Sequence, residues 1–376
     1  MGLVRILLAF SVLFSHLPSR FSLPLIPAGL AVQTFFIVSG FYMSLILSNK
    51  YARGRHSYTL FIGNRFLRIY PVYLLVLTAI VLLALVKYVF HLASNENLGI
   101  HLIRYYAHSS VPAAFFSLLD DFLRNFTLII SSDYIHTVPR DPAYLLIAQA
   151  WTLQLELLFY LLAPFLISRR LLILLALVAL LTFLRVAPLP LVPADSLAHN
   201  FVSELPYFLF GVFAYRLYRK LELRLVHIHM LRASFALVIL LLLFFSDIPF
   251  FSYTLLTYAN GFYVFLIALA LPCMFLLTKG NVLDRLVGNL SYPIYVSHAL
   301  IIKLLDNIHW LVRSPVAFAV TAILLTIGIS ILLEKFVDQP IDKLRQLRVQ
   351  KNKQSLKPKN LNQRHGARTV SYSPIT

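Results

Sequence analysis

Apolar stretches of about twenty residues recur ten times along this chain, and no other feature restricts its fold as much. The windows are 3–20, 29–48, 68–91, 144–167, 171–187, 201–218, 233–249, 256–277, 287–305 and 315–336. At 1.5 Å per residue, about twenty helical residues cross the roughly 30 Å hydrocarbon core of a bilayer. The expectation is an all-α, polytopic membrane protein with about ten transmembrane helices. Residues 1–337 form one transmembrane domain, and 338–376 form a basic tail that is partly disordered. Composition agrees: 59% of the 376 residues are hydrophobic and 13% are charged, which suits a membrane protein rather than a soluble domain. No repeat of solenoid period is present.

Charge sets the orientation. The 33 Lys and Arg against 15 Asp and Glu give a net charge of +18. Nucleic-acid binding does not follow, because the basic residues fall in short clusters between apolar spans. Alternate connections hold Lys50, Arg53, Arg55, Arg65 and Arg68, then Arg169 and Arg170. Arg216, Arg219, Lys220, Arg224 and Arg232 come next, then Lys279 and Arg285. The intervening connections carry Asp120, Asp121, Asp133, Asp141, Asp195, Asp247 and Asp306. The positive-inside rule then places both termini in the cytoplasm. The tail from Asp338 to Thr376 has nine Lys or Arg and two Asp, and is expected to lie solvated near anionic lipid. An amphipathic piece at 111–131 is expected at the interface. Residues 1–18 resemble a signal peptide only in part, since no small-x-small cleavage site follows. The single Cys273 leaves no intrachain disulfide and no cysteine-based metal cluster, and no metal is expected.

Ionisable side chains inside a span usually face a protein interior or a water cavity. The first span contains the stretch RILLAFSVLFSH, which begins with Arg5 and ends with His16. Eleven helical steps make three turns plus roughly 20°, so both lie on one face, roughly 16 Å apart along the axis. Glu156, in WTLQLELLFYLLAP, is a lone carboxylate in the fourth span. Either it orients His16 as a base and supports its charged form, or it is a protonated acid bonded to a carbonyl. Arg65 and Arg68, in NRFLRIYPVY, share one helical face at the cytoplasmic boundary, level with Arg5. Three converging guanidiniums suit phosphates, while plain positive-inside anchoring accounts for them without convergence. His298, in NLSYPIYVSHALII, reads as a second functional histidine or a packing one. Ser39 and Gly40 permit close helix contact.

A substrate with phosphates at one end, a reactive carbonyl at the other and an arm of about 16 Å between them fits Arg5 and His16 together. Acyl-coenzyme A has that shape.

These residues resemble the integral-membrane acyltransferase 3 family of bacterial O-acetyltransferases. The motif Arg, ten residues, His is matched by Arg5 and His16, and FFxxSGF by Phe35, Phe36, Ser39, Gly40 and Phe41. RxxR is matched by Arg65 and Arg68, followed by Ile69, Pro71 and Tyr73. A WSLxxExxFY-like run corresponds to Trp151, Thr152, Leu153, Glu156, Phe159 and Tyr160. SYPIYxxH spans Ser291–Tyr295 and His298, and Glu334 and Pro340 close the series. The order is preserved from residue 5 to about 345. Gln33 stands where many members have Asp, and Leu157 and Leu158 stand where members often have Glu-Gln. The resemblance implies an O-acyltransferase, with acetyl-CoA as donor substrate and a cell-surface or lipid-linked saccharide as acceptor. By that resemblance a stand-alone form, without the extracytoplasmic hydrolase-like domain of some members, is expected. The expected catalytic residues are His16, as general base, and Glu156. Arg5, Arg65 and Arg68 bind the donor, and Trp151, Ser39 and His298 are expected to bind substrate. The rival reading is a transporter of a glycan precursor with His and Glu as proton relays. No inverted repeat supports it.

Overall fold

The computed structural model describes residues 1–17, 25–51, 57–89, 125–126, 146–147, 149–186, 201–222, 227–244 and 253–355. All regular elements among them are helical. They are α1 (Gly2–Ser15), α2 (Ala28–Lys50), α3 (Ser57–Val89), α4 (Ala150–Ile167), α5 (Leu171–Val186), α6 (Phe201–Glu222) and α7 (Ile228–Phe244). Next come α8 (Tyr253–Thr278), α9 (Val282–Asn289), α10 (Ser291–Leu305), α11 (His309–Val312) and α12 (Pro315–Leu333). A π-helical turn (Glu334–Asp338) then leads into α13 (Gln339–Ser355).

A helix occupies each of the ten apolar windows, but the windows do not all make a span by length and composition. Among the described residues, five helical stretches are long and apolar enough to cross a membrane: Ala28–Lys50, Ser57–Leu83, Ala150–Ile167, Asn260–Thr278 and Pro315–Asn352. Gly2–Ser15, Leu171–Leu184 and Ile228–Leu243 are apolar but shorter. The window 201–218 is a helix whose apolar run is interrupted by Glu204 and Arg216. The window 287–305 breaks at Leu290, where α9 ends and α10 begins. The amphipathic piece at 111–131 lies outside the described residues apart from Asn125 and Phe126.

The centre of the bundle is the pair α2 and α6. A Cβ built on Gly40 meets the Phe208 carbonyl oxygen at 2.0 Å, and one on Gly211 meets that of Ile37 at 2.0 Å. Glycine at both positions lets the backbones approach closely, as helix pairs in lipid commonly do. Phe208 fills the space beside this crossing. Its ring stacks on Phe36 of α2 at 4.6 Å and on Phe159 of α4 at 4.3 Å, which draws α4 onto the pair. Offset aromatic stacks of this kind add about 0.5–1.5 kcal/mol beyond the burial of the rings.

The second helix pair that matters is α1 and α10. Val4, Leu8 and Val12 of α1 join the main core, while Ala9 and Leu13 pack with Ile294, Ile301 and Phe318 in a smaller one. The first turn of α1 is fixed from outside the helix. The Asp284 carboxylate of α9 accepts the Gly2 N–H at 2.7 Å, the Leu3 N–H at 2.9 Å and the Met1 ammonium at 2.5 Å. A carboxylate at a helix N-terminus satisfies orphan donors and complements the helix dipole. Burial pushes the Asp284 carboxyl up, but these donors outweigh burial and hold it below its ordinary value. The axial position of Arg5, three residues on, follows from this clamp.

The tail does not begin as a solvated strand of chain. After α12 the backbone runs through the π turn into α13, and Asp338 (5% exposed) and Glu334 are buried. Glu334 accepts Gln339 Nε2 at 2.8 Å, and Asp338 accepts Arg68 Nη1 at 3.1 Å. The sequence reads as solvated there because α13 is rich in charge. Of its charged groups, Arg345 and Asp342 bond each other, while Lys343 and Lys351 are exposed.

Candidate active site

Arg5 and His16 leave α1 on the same side, as the eleven-residue spacing requires. Leu8, Ala9 and Val12, which lie between them on that side, are all 2% exposed or less. This face of α1 therefore looks into the protein. The two ends of the face meet different chemistry.

At the Arg5 end, guanidiniums gather. Arg65, 6% exposed, lies between two rings, 5.8 Å from the Phe61 centroid and 5.9 Å from that of Tyr160. Its Nε is buried with no hydrogen-bond partner among the described residues, and no carboxylate lies within ion-pair distance of it. Arg5 likewise has no carboxylate at that distance among the described residues, and it lies within electrostatic reach of Arg68, Glu156, Tyr42 and Tyr160. Arg68 is the exception: it pairs with Asp338 and lies over the Tyr292 ring at 5.6 Å. Two cations set among rings and helices, with no carboxylate in direct contact among the described residues, suit an external anion.

At the other end, two histidines meet. The His16 and His298 rings are 5.2 Å apart, centroid to centroid. Each ring has its Nδ1 against the carbonyl four residues back: His16 on Val12 at 2.7 Å, His298 on Ile294 at 3.1 Å. A carbonyl only accepts, so each Nδ1 carries the hydrogen in a neutral ring, and each Nε2 keeps its lone pair. Both rings are thus in the tautomer a base needs. His298 is fully buried and its Nε2 has no partner among the described residues. His16, at the C-terminal end of α1, is exposed rather than deeply buried as its place in the apolar window suggests.

Glu156 does not orient His16; among the described residues no hydrogen bond joins them. Its Oε1 accepts Ser39 Oγ at 2.8 Å and the Tyr160 hydroxyl. The orienting partner of His16 is the Val12 carbonyl. An i−4 carbonyl lies within reach of any helical histidine, so residue identity alone does not select it over a carboxylate. Ser39 bonds Glu156, and Trp151 packs edge-on against Phe36 with centroids 6.4 Å apart.

A second polar stripe connects the two ends. On α4 and the residue before it, Gln149, Thr152, Glu156 and Tyr160 follow spacings of three, four and four, so they share one helical face about 16 Å long. Gln149 Nε2 donates to the Tyr295 and Val296 carbonyls at 3.1 and 3.2 Å, and Thr152 Oγ1 meets the Tyr295 hydroxyl at 2.8 Å. The Tyr295 ring lies 6.1 Å from His298. Tyr160, at the far end, adjoins Arg65. The α4 stripe therefore matches the Arg5–His16 face of α1 end to end, in the opposite direction. Gln149, Thr152 and Tyr295 are additions to the sequence-derived set, and the i, i+3, i+7, i+11 spacing on α4 was the available sign of them.

This constellation can be compared with known proteins. A family model described as an acyltransferase domain matches residues 1–335. The chain belongs to the acyltransferase 3 family. The match contains both ends of the α1 face, the α4 stripe and His298, and stops before α13. Membership of the acyltransferase 3 family makes the protein an acyltransferase, and its apolar helices make it a membrane one. No curated protein and no solved structure matches it.

Proposed function

We propose that this acyltransferase 3 protein moves an acetyl group from acetyl-CoA to a hydroxyl of a cell-surface or lipid-linked saccharide, working from the inner membrane. One observation carries the reading. A single face of α1 has at one end a cation with no carboxylate in direct contact among the described residues and, about 16 Å away, an imidazole whose Nδ1 is bonded to a carbonyl, leaving Nε2 as the base. Arg5, Arg65 and Arg68 hold the donor phosphates on the cytoplasmic side, and the pantetheine arm runs along the interior toward His16.

His16 Nε2 takes the proton of the acceptor hydroxyl as its oxygen attacks the thioester carbonyl. The tetrahedral intermediate collapses with loss of the coenzyme thiolate, which then receives the proton from His16 Nε2. The products are the acetyl ester and free coenzyme A. The Val12 carbonyl fixes the tautomer throughout and stabilises the imidazolium less than a carboxylate does. Glu156 keeps Ser39 and Tyr160 in place beside Arg65, and so acts on the donor end.

The test is turnover of radiolabelled acetyl-CoA by the purified protein in nanodiscs, with surface glycan from the source cells as acceptor. His16→Ala abolishes transfer while coenzyme A binding and the folded protein persist. Transfer at the wild-type rate by that variant removes His16 from the mechanism. Movement of unmodified glycan with no need for acetyl-CoA establishes the transporter reading instead.

A further inference from the structure

We propose that Arg345, on the helix that follows the last span, is a fourth guanidinium of the phosphate site and binds the acyl donor directly. This rests on the donor reading above and extends it to a part of the chain beyond residue 335, outside the region matched by the family model.

The placement of α13 brings this about. The helix lies against the start of α3, where Asn64 Nδ2 donates to the Arg345 carbonyl at 3.5 Å. A Cβ built on Gly63 comes within 3.2 Å of the Arg348 guanidinium. Asn64 immediately precedes Arg65, so α13 passes over the turn of α3 that carries Arg65 and Arg68. The Arg345 side chain is 13% exposed. Its Nη1 donates to Asp342 at 3.0 Å, and its Nε is buried with no partner among the described residues. Arg65 and Arg68 both lie within electrostatic reach of it, and Asp338 is within reach of Arg68 and Arg345 alike.

The packing of α13 on Asn64 and Gly63 therefore brings Arg345 within electrostatic reach of Arg65 and Arg68, and these like charges repel. A folded chain tolerates that arrangement best where an anion of several charges joins them. Guanidinium forks bind phosphate oxygens in pairs, more strongly than neutral donors do. Coenzyme A supplies a pyrophosphate and a 3′-phosphate. Asp342 holds the Arg345 fork and Asp338 holds Arg68, so each carboxylate competes with those phosphates for its arginine.

The competition sets the test. Binding of coenzyme A to the full-length protein in nanodiscs is measured by calorimetry for the wild type and four variants. Arg345→Gln raises Kd about tenfold, the loss expected for one charge-assisted contact. Arg345→Lys, which keeps the charge and loses the fork, falls between, and decides the matter if the Gln chain does not fold. Asp342→Asn binds as tightly as wild type or tighter, because it frees Arg345. If Arg345 only anchored α13 through its ion pair, Asp342→Asn would weaken binding as much as Arg345→Gln. That result, or a wild-type Kd for both Arg345 variants, overturns the proposal. Arg65→Met separates the two levels: undiminished binding there removes the donor site itself, not just its fourth member.

Discussion

Replacing Arg65 with methionine separates a ligand-binding cation from an anchoring one. Methionine keeps the length of the stem between Phe61 and Tyr160 and removes the charge. In the donor-free protein two cation–π contacts are lost, worth about 1 kcal/mol each. Against that, a buried guanidinium with no carboxylate partner among the described residues no longer has to be desolvated, which returns several kcal/mol. Thermal stability without donor is therefore unchanged or higher. With donor, one or two charge-assisted hydrogen bonds vanish at about 1.5 kcal/mol each, so KM for acetyl-CoA rises roughly 10- to 150-fold. Arg68→Met gives the contrasting pattern. It strands Asp338, which is 5% exposed, and costs about 3 kcal/mol of stability in addition to weakening donor binding. The assay pairs thermal unfolding in nanodiscs with initial rates over a range of acetyl-CoA concentrations. A lower melting temperature for Arg65→Met at unchanged KM refutes the reasoning and makes Arg65 a structural anchor.

Three further outcomes follow from the geometry. Gly211→Ala forces a methyl against the Ile37 carbonyl and costs about 1–3 kcal/mol through overpacking, which a fall in melting temperature measures. Glu156→Gln raises KM for the donor and leaves the pH dependence of kcat in place, because the carboxylate bonds Ser39 and Tyr160 and not His16; a shifted kcat profile contradicts this. Asp284 stabilises the fold through a carboxyl held below its ordinary value. Its contribution is complete above the unfolded value near 4 and disappears as pH falls through the folded one, so Asp284→Asn flattens the acid limb of a stability curve.

Helical periodicity made much of this arrangement legible. The Arg5–His16 spacing fixed one face of α1, and RxxR fixed one face of α3, because 3.6 residues per turn leave no other choice. Hydropathy does not register the backbone change at Leu290 that separates α9 from α10 within the window 287–305. The alternative that pairs Glu156 with His16 rests only on both residues lying within spans. Depth along a span gives no azimuth relative to another helix, and the azimuth is set by the α2–α6 crossing at Gly40 and Gly211 and the aromatic stack on Phe208. The histidine pair was hidden for the same reason, as α1 and α10 are 275 residues apart or more in the chain. Arg345 was obscured by its surroundings: a run rich in Lys, Arg and Gln reads as solvated, and the π turn that directs it back onto α3 has no sequence signature.

A cryo-electron microscopy structure with a non-hydrolysable acetyl-CoA analogue bound tests the central claim most directly. The account predicts phosphate density against Arg5 and Arg65 and the thioester mimic beside His16 Nε2, with the pantetheine arm between α1 and the Thr152–Tyr160 face of α4. Phosphates on those arginines with the arm leaving toward lipid, and Leu8, Ala9 and Val12 still sealed against their neighbours, would contradict it.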